Sequence, residues 1–381
     1  MASAPSAPLL LVCGEDEFGV RERAREVFQK WSAELGGMDH EIIDSAVTHS
    51  GEALKALQRL RAALQTLPFF GSGKVVWMQN CSFLGDDRTA SVHAVTEDLA
   101  DLAQYLKSFS WQGVRLLISA GKVDKRKTFF KTIEKLGAVE VFAGLSVDDR
   151  DWADQAELLV RRRLQETDKS ISDEAAAAMV AQVGPNSRSL ASEAEKLATY
   201  VGTRAQIELS DVEAIVTRNK QARAFALGDA LGDRDLVRVL RCLDQELWEL
   251  KSDSQRSEIG LLYGLITKVR VLLFLKEMLE RGFVKMERDF VRFKAQLQRI
   301  PPEALPEDKR FSPLSINPYV LFKGLTQVNR YRQEELIAAM ELLLRCNQRL
   351  IFSNMDESVI LQQTLVQIVG SPAERKGSAA P

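Results

Sequence analysis

The sequence predicts an α/β domain built on a parallel sheet, followed by a small helical domain and a larger all-helical one. Three observations point there. Over the first 145 residues, short apolar runs of strand length alternate with longer helical patterns. After Gly144 the strand-like runs stop, and from about Gln221 to Gly370 the pattern is helical throughout. Apolar strands separated by helices imply a parallel sheet covered on both faces. The expected domains are residues 1–145, 146–220 and 221–370, with 371–381 as a small, polar, disordered tail.

Each element has its own signal. Pro8–Gly14 (PLLLVCG) reads as a buried strand and Glu15–Leu35 as a helix. Asp39–Ser45 is the second strand, and Gly51–Gln65 follows as an amphipathic helix marked by Leu54, Leu57, Leu60 and Leu64. Lys74–Asn80 (KVVWMQN) is the third strand, followed by a helix over Thr96–Phe109. Gly113–Ala120 and Gly137–Ala143 are the fourth and fifth strands. The second domain reads as three helices, Val147–Thr167, Ser172–Gly184 and Ser187–Gly202, each with Ser or Asp near its start. In the third, Leu236, Val239, Leu240, Leu243 and Leu247 form one apolar stripe. Gly260–Leu279 is apolar on most sides and so reads as a central bundle helix. Ile300–Pro318 is a Pro-rich surface loop.

Composition narrows the function. Hydrophobic content of 45% and charged content of 27% suit a globular protein with substantial cores. No long uncharged apolar run offers a membrane span, and the N-terminus has no basic region ahead of its short apolar stretch. A cytoplasmic location is expected. Cys13, Cys81, Cys242 and Cys346 lie far apart without a CxxC pair, which suits free thiols. His40, His49 and His93 are scattered, so neither a metal centre nor a nucleophilic triad is expected. A formal net charge of −2 argues for a chain that reaches nucleic acid within an assembly, if it does so at all.

A sheet domain with helices after it is also the layout of P-loop ATPases, so phosphate binding can be tested position by position. The cradle G-x-x-x-x-G-K-[ST] belongs directly after the first strand. There the chain has Gly14-Glu15-Asp16-Glu17-Phe18-Gly19-Val20-Arg21. Val20 replaces the lysine, Arg21 replaces the hydroxyl residue, and three carboxylates occupy the helix start where the dipole would attract phosphate. The third strand ends in Gln79 and Asn80, without the acid that would hold Mg²⁺; Asp86 and Asp87 come later. Gly71-Ser72-Gly73-Lys74 precedes a strand rather than a helix, with Pro68 at the first glycine position. No nucleotide, metal or other cofactor is expected.

These segments resemble a known family, the delta subunit of the bacterial DNA polymerase III clamp loader, over about Leu9 to Gly370. The resemblance is carried by LLLVCGEDEF, LPFFGSGKVVWMQN, GKVDKRKTFFKTIEKLGAVEVF and VGPNSRSLASEAEKLATYVG, and more loosely by the helices from Asn317 to Leu350. Asn347 and Ile351 stand where the family often has Asp and Lys, and the loop near Ile300–Pro318 is longer than usual. The resemblance implies an AAA+-like fold without ATPase activity, as a component of a holoenzyme whose polymerase activity lies in another subunit. It implies a third domain that joins a helical collar with the gamma/tau and delta prime subunits. It also implies a first domain that binds the ring-shaped sliding clamp (beta) and helps hold it open for loading onto primed DNA.

In that family an apolar pair just before the third strand enters a pocket on the clamp, and the aligned residues here are Phe69 and Phe70, with Leu67 beside them. Pro68, Gly71 and Gly73 suit a sharp protruding turn. Burial of one phenylalanine contributes about 1.5–3 kcal/mol, so two are of hot-spot size. The competing interpretation is that the rings fill the core. A second candidate is the basic run Lys122, Lys125, Arg126, Lys127, Lys131 and Lys135, whose spacing suggests one face of the helix after the fourth strand. It suits DNA, another subunit or a solvated surface. Two other classes remain, an ATP-binding AAA+-type ATPase and a helical scaffold unrelated to replication.

Overall fold

The computed structural model describes residues 7–66, 73–147, 149, 151–217, 220–251, 257–305, 312, 314 and 316–370. The chain divides into two compact units, Met1–Leu145 and Ser146–Pro381.

In the first unit the elements run β1 (Leu9–Gly14), α1 (Glu17–Leu35), β2 (Glu41–Asp44), α2 (Ser50–Gln65) and β3 (Lys74–Cys81), then α3 (His93–Ser108), β4 (Val114–Ala120), α4 (Thr128–Leu136) and β5 (Ala138–Phe142). The five strands form one parallel sheet in the order β2-β3-β4-β1-β5. Alternation along each strand splits the core in two. Leu9, Leu11, Val76, Met78, Leu116 and Ile118 face α2, α3 and α4, together with Leu57, Leu60, Leu99, Leu102 and Ile133. Leu10, Val12, Val75, Trp77 and Leu117 face α1, where Val20, Ala24, Val27 and Trp31 cover them. Arg23 on α1 grips Glu140 on β5 with two hydrogen bonds, Nε to Oε2 at 2.7 Å and Nη2 to Oε1 at 2.9 Å, which fixes the helix to the sheet edge. Helix α3 starts three residues before the expected Thr96, because the Val92 carbonyl accepts from the amides of Val95 and Thr96 and buried Val95 belongs to the core.

The second unit holds α5 (Trp152–Gln165), β6 (Ser170–Ile171), α6 (Asp173–Val183), α7 (Ser187–Tyr200), β7 (Gln206–Ile207) and α8 (Leu209–Ile215). It continues through α9 (Lys220–Gly232), α10 (Leu236–Leu250), α11 (Glu258–Glu280), α12 (Phe290–Leu297), α13 (Pro318–Gln327), α14 (Gln333–Phe352) and α15 (Glu357–Gly370). The pairing of β6 with β7, Ile171 beside Ile207, corrects the expectation that strands end at Gly144. Two-residue strands are too short for alternation to reveal them. They are held by Lys169, whose Nζ donates to the carbonyls of Gly202 and Arg204 at 2.6 and 2.8 Å. Ala175–Ala178 of α6 are all buried, and these small side chains let α5, α8, α12 and α13 pack around it. Helix α11 is the central helix, packing on α9, α13, α14 and α15. Beside it Asp229 takes a 2.9 Å bond from Lys268 and lies 3.6 Å from Lys323. Burial would raise that carboxyl, but the two lysines more than offset it and hold it below its ordinary value. Residues 306–311, 313 and 315 of the Pro-rich loop, and the tail from 371, lie outside the described residues.

Candidate functional site

The turn from β1 into α1 is where a phosphate would sit in a nucleotide-binding relative of this fold, and the chain's own groups fill it. Gly14 adopts φ +146°, and a Cβ there would lie 1.9 Å from the Phe142 carbonyl oxygen, so only glycine fits. The Asp16 amide donates to that same carbonyl at 3.2 Å. The Asp16 carboxylate accepts from the Gly19 amide at 3.1 Å and so caps α1. Glu15 pairs with Lys122 at 3.3 Å. Val20, at the position a phosphate-binding lysine would take, is 5% exposed and packs in the core beneath α1.

The end of β3 is equally committed. Asn80 has φ 55°, and its amide donates to Ser119 Oγ at 3.3 Å. Its side chain donates to Asp44 Oδ1 at 3.3 Å. Asp87 serves its own turn by accepting from the Ala90 amide at 2.9 Å. Among the described residues no group of three His, Cys, Asp or Glu could hold a metal ion.

Lys74, the lysine of Gly-Ser-Gly-Lys, is 1% exposed. Its Nζ donates to the Ala63 carbonyl and, at 2.6 Å, to Thr66 Oγ1, and lies 3.5 Å from a Glu41 carboxylate oxygen. It therefore caps the C-terminus of α2, where carbonyls lack partners inside the helix and the dipole favours a cation. Sequence reasoning missed this role; the available signal was a cation placed shortly after a helix end. The Lys74 amide donates to the Gly113 carbonyl at 2.7 Å, and a Cβ on Gly73 would lie 2.2 Å from that same oxygen. Thr66 and Lys74 are thus tied to each other and to the sheet. Leu67, Phe69 and Phe70, the expected clamp-binding residues, lie between them and outside the described residues.

The basic run is not the continuous helical face that its spacing suggests. Helix α4 begins only at Thr128, so Lys122, Lys125, Arg126 and Lys127 precede it, and Lys131 and Lys135 alone are on it. The reason is a local turn in which Asp124 accepts from the amide and guanidinium of Arg126. The Arg126 guanidinium holds the Asp124 carboxyl down at about 2. Lys122 pairs with Glu15, and Lys127 Nζ donates to the Ala90 carbonyl at 2.8 Å. Lys125, Lys131 and Lys135 are exposed.

Residues 10–142 match the family described as DNA polymerase III, delta subunit. Over 314 residues the chain is 22% identical to the DNA polymerase III subunit delta of Bacillus subtilis, which covers 82% of this chain and 80% of that one. The chain is thus similar to DNA polymerase III delta subunits, with the family match confined to the first compact unit. Among solved structures, the Bacillus subtilis DNA clamp loader delta protein matches over 95% of both chains with 20% identity and a TM-score of 0.46. The Thermotoga maritima RuvB Holliday junction branch migration motor matches over 58% of this chain and 67% of its own, with 12% identity and a TM-score of 0.32. The parallel sheet and the helical remainder constitute an α/β domain followed by a helical region. No described helix is long and apolar enough to cross a membrane.

Proposed function

We propose that this chain is a clamp-loader subunit without ATPase activity that binds the sliding clamp through Leu67, Phe69 and Phe70 and favours the ring's open form, for loading onto primed DNA. One observation carries the proposal. Both places that look like a phosphate cradle are taken by protein groups, Asp16 on the N-terminus of α1 and Lys74 on the C-terminus of α2. A domain so arranged is suited to binding rather than to hydrolysis. The bond between Thr66 and Lys74 adds support, since a segment anchored at both ends loses less conformational freedom on docking. Ring opening follows from differential affinity, because a subunit that bound open and closed clamp equally would shift nothing. ATP held by neighbouring subunits would govern access to the segment.

The division of the second unit into a small helical domain (146–220) and a collar domain (221–370) belongs to the same proposal. Trp248 on α10 and Phe352 on α14 are 73% and 84% exposed. Large apolar side chains displayed to that extent suit docking against the gamma/tau and delta prime subunits. The test is capture by the organism's own sliding clamp. Phe69→Ala combined with Phe70→Ala is expected to weaken capture by about a hundred- to ten-thousand-fold while the circular dichroism spectrum is unchanged. Capture at wild-type affinity by that variant would defeat the assignment, and saturable ATP binding by the isolated chain would favour the ATPase alternative.

A further inference from the structure

We infer that the segment around α12 is a binding site for the phosphodiester backbone of nucleic acid, formed by Lys285, Arg288, Arg292 and Arg299. Over Arg281–Arg299 the chain has six cations and two carboxylates, although its overall charge is −2. Two of the six are committed, Arg281 to Glu277 at 2.5 Å and Lys294 to Asp154 at 2.8 Å. The other four are exposed and have no ion-pair partner among the described residues. This contrasts with the run at 122–135, where Lys122 and Arg126 are paired with acids and Lys127 with a carbonyl.

The geometry aligns them. Phe290, Phe293 and Leu297 turn one side of α12 into the core. Arg292, Gln296 and Arg299 follow spacings of four and three residues, and Arg288 stands four residues earlier in the turn leading into the helix. The Gln296 side chain accepts from the Lys285 amide at 2.7 Å, which brings Lys285 to the middle of the same side. From Arg292 to Arg299 the stripe runs about 10 Å. The acids of the segment are used at the helix start. Glu287 accepts from the amides of Arg288 and Asp289, and Asp289 accepts from the Arg292 amide and faces the Glu174 carboxyl, which burial first and then this charge raise above its ordinary value.

The chemistry favours phosphate over an acidic protein surface. Three of the four cations are arginines, whose planar fork matches phosphate oxygens in pairs. The aromatic residues of α12, Phe290 and Phe293, are buried, and Phe283 in the turn before it is half-buried and off the helix face that carries Arg292 and Arg299. The face therefore offers neither the aromatic anchors that dominate protein interfaces nor a platform for stacking bases. Contact with the backbone alone reads no sequence. The replication setting comes from the proposed function; the site itself rests on the charges and their alignment.

The test uses the full chain and a fluorescent primed-template oligonucleotide, with binding followed by anisotropy between about 50 and 200 mM salt. The quadruple variant Lys285→Gln, Arg288→Gln, Arg292→Gln, Arg299→Gln is expected to bind at least about tenfold more weakly. The slope of log affinity against log salt should fall by about 3–4. An unchanged slope, or no oligonucleotide binding by the wild type at the lowest salt, overturns the inference. So does a variant that loses polyglutamate binding but keeps oligonucleotide binding, since that identifies an acidic protein partner. Clamp capture is scored separately on the same preparations. Its absence in the wild type defeats the clamp-binding proposal and leaves the salt slopes to decide this one.

Discussion

Lys74 keeps an ammonium group in the interior because the end of α2 needs one. Replacement by methionine preserves most of the packing and removes the donor to Ala63 and Thr66. Glu41, its acidic neighbour, is half exposed and returns to water. The variant is expected to lose about 1–3 kcal/mol, the cost of a buried carbonyl without its donor. Urea denaturation measures this, and an unshifted midpoint would show that the capping bonds contribute nothing. That Lys74 does not hold a phosphate was legible from the sequence, since a strand and not a helix follows it. What it holds instead was not, because the helix end comes to it only when β3 joins the sheet. Arg126 has the same lesson. It reads as a free cation in a basic run, yet both sides of its guanidinium fork lie on Asp124 two residues away.

Between elements, Glu157 on α5 and Lys294 on α12 form a pair with a pH signature. Glu157 Oε2 lies 3.6 Å from Lys294 Nζ, while Oε1 has no hydrogen-bond partner among the described residues. Burial lifts this carboxyl above its ordinary value, against the pull of Lys294. A raised folded-state value means that its contribution is most favourable below the ordinary glutamate value and is lost as pH rises through the folded one. Glu157→Gln is therefore expected to raise the melting temperature at pH 7, with the advantage shrinking toward pH 4. Lys294 keeps its closer partner, Asp154. A constant difference across that range would contradict the assignment. The long elements were readable because their periodicity repeats over many residues, as in the leucines of α2. The pair β6–β7 was not, since its two residues per strand leave no period to detect. Helix α4 was placed too early because charge spacing was taken for helical spacing across a turn that Asp124 forms.

For the whole molecule, the first unit carries a core on both faces of its own sheet. Residues 1–145 expressed alone are expected to unfold cooperatively and to capture the clamp, while failing to recover the other loader subunits. Thermal melting followed by pull-down tests this, and an unfolded fragment would show that the second unit is needed for stability. The α/β-then-helical plan was legible because sheet and bundle differ in period over hundreds of residues. The position of the proposed clamp-binding segment rests on family resemblance, since side-by-side phenylalanines look the same to periodicity whether they are displayed or buried. The valine at position 20 limits what the domain could become. It packs beneath α1 with Leu10 and Val12, so a lysine there would place an unpaired charge in a buried layer of the domain while Asp16 still held the Gly19 amide. Any change toward nucleotide binding at this turn would have to undo packing and capping together, and intermediates along that route would be less stable than either endpoint.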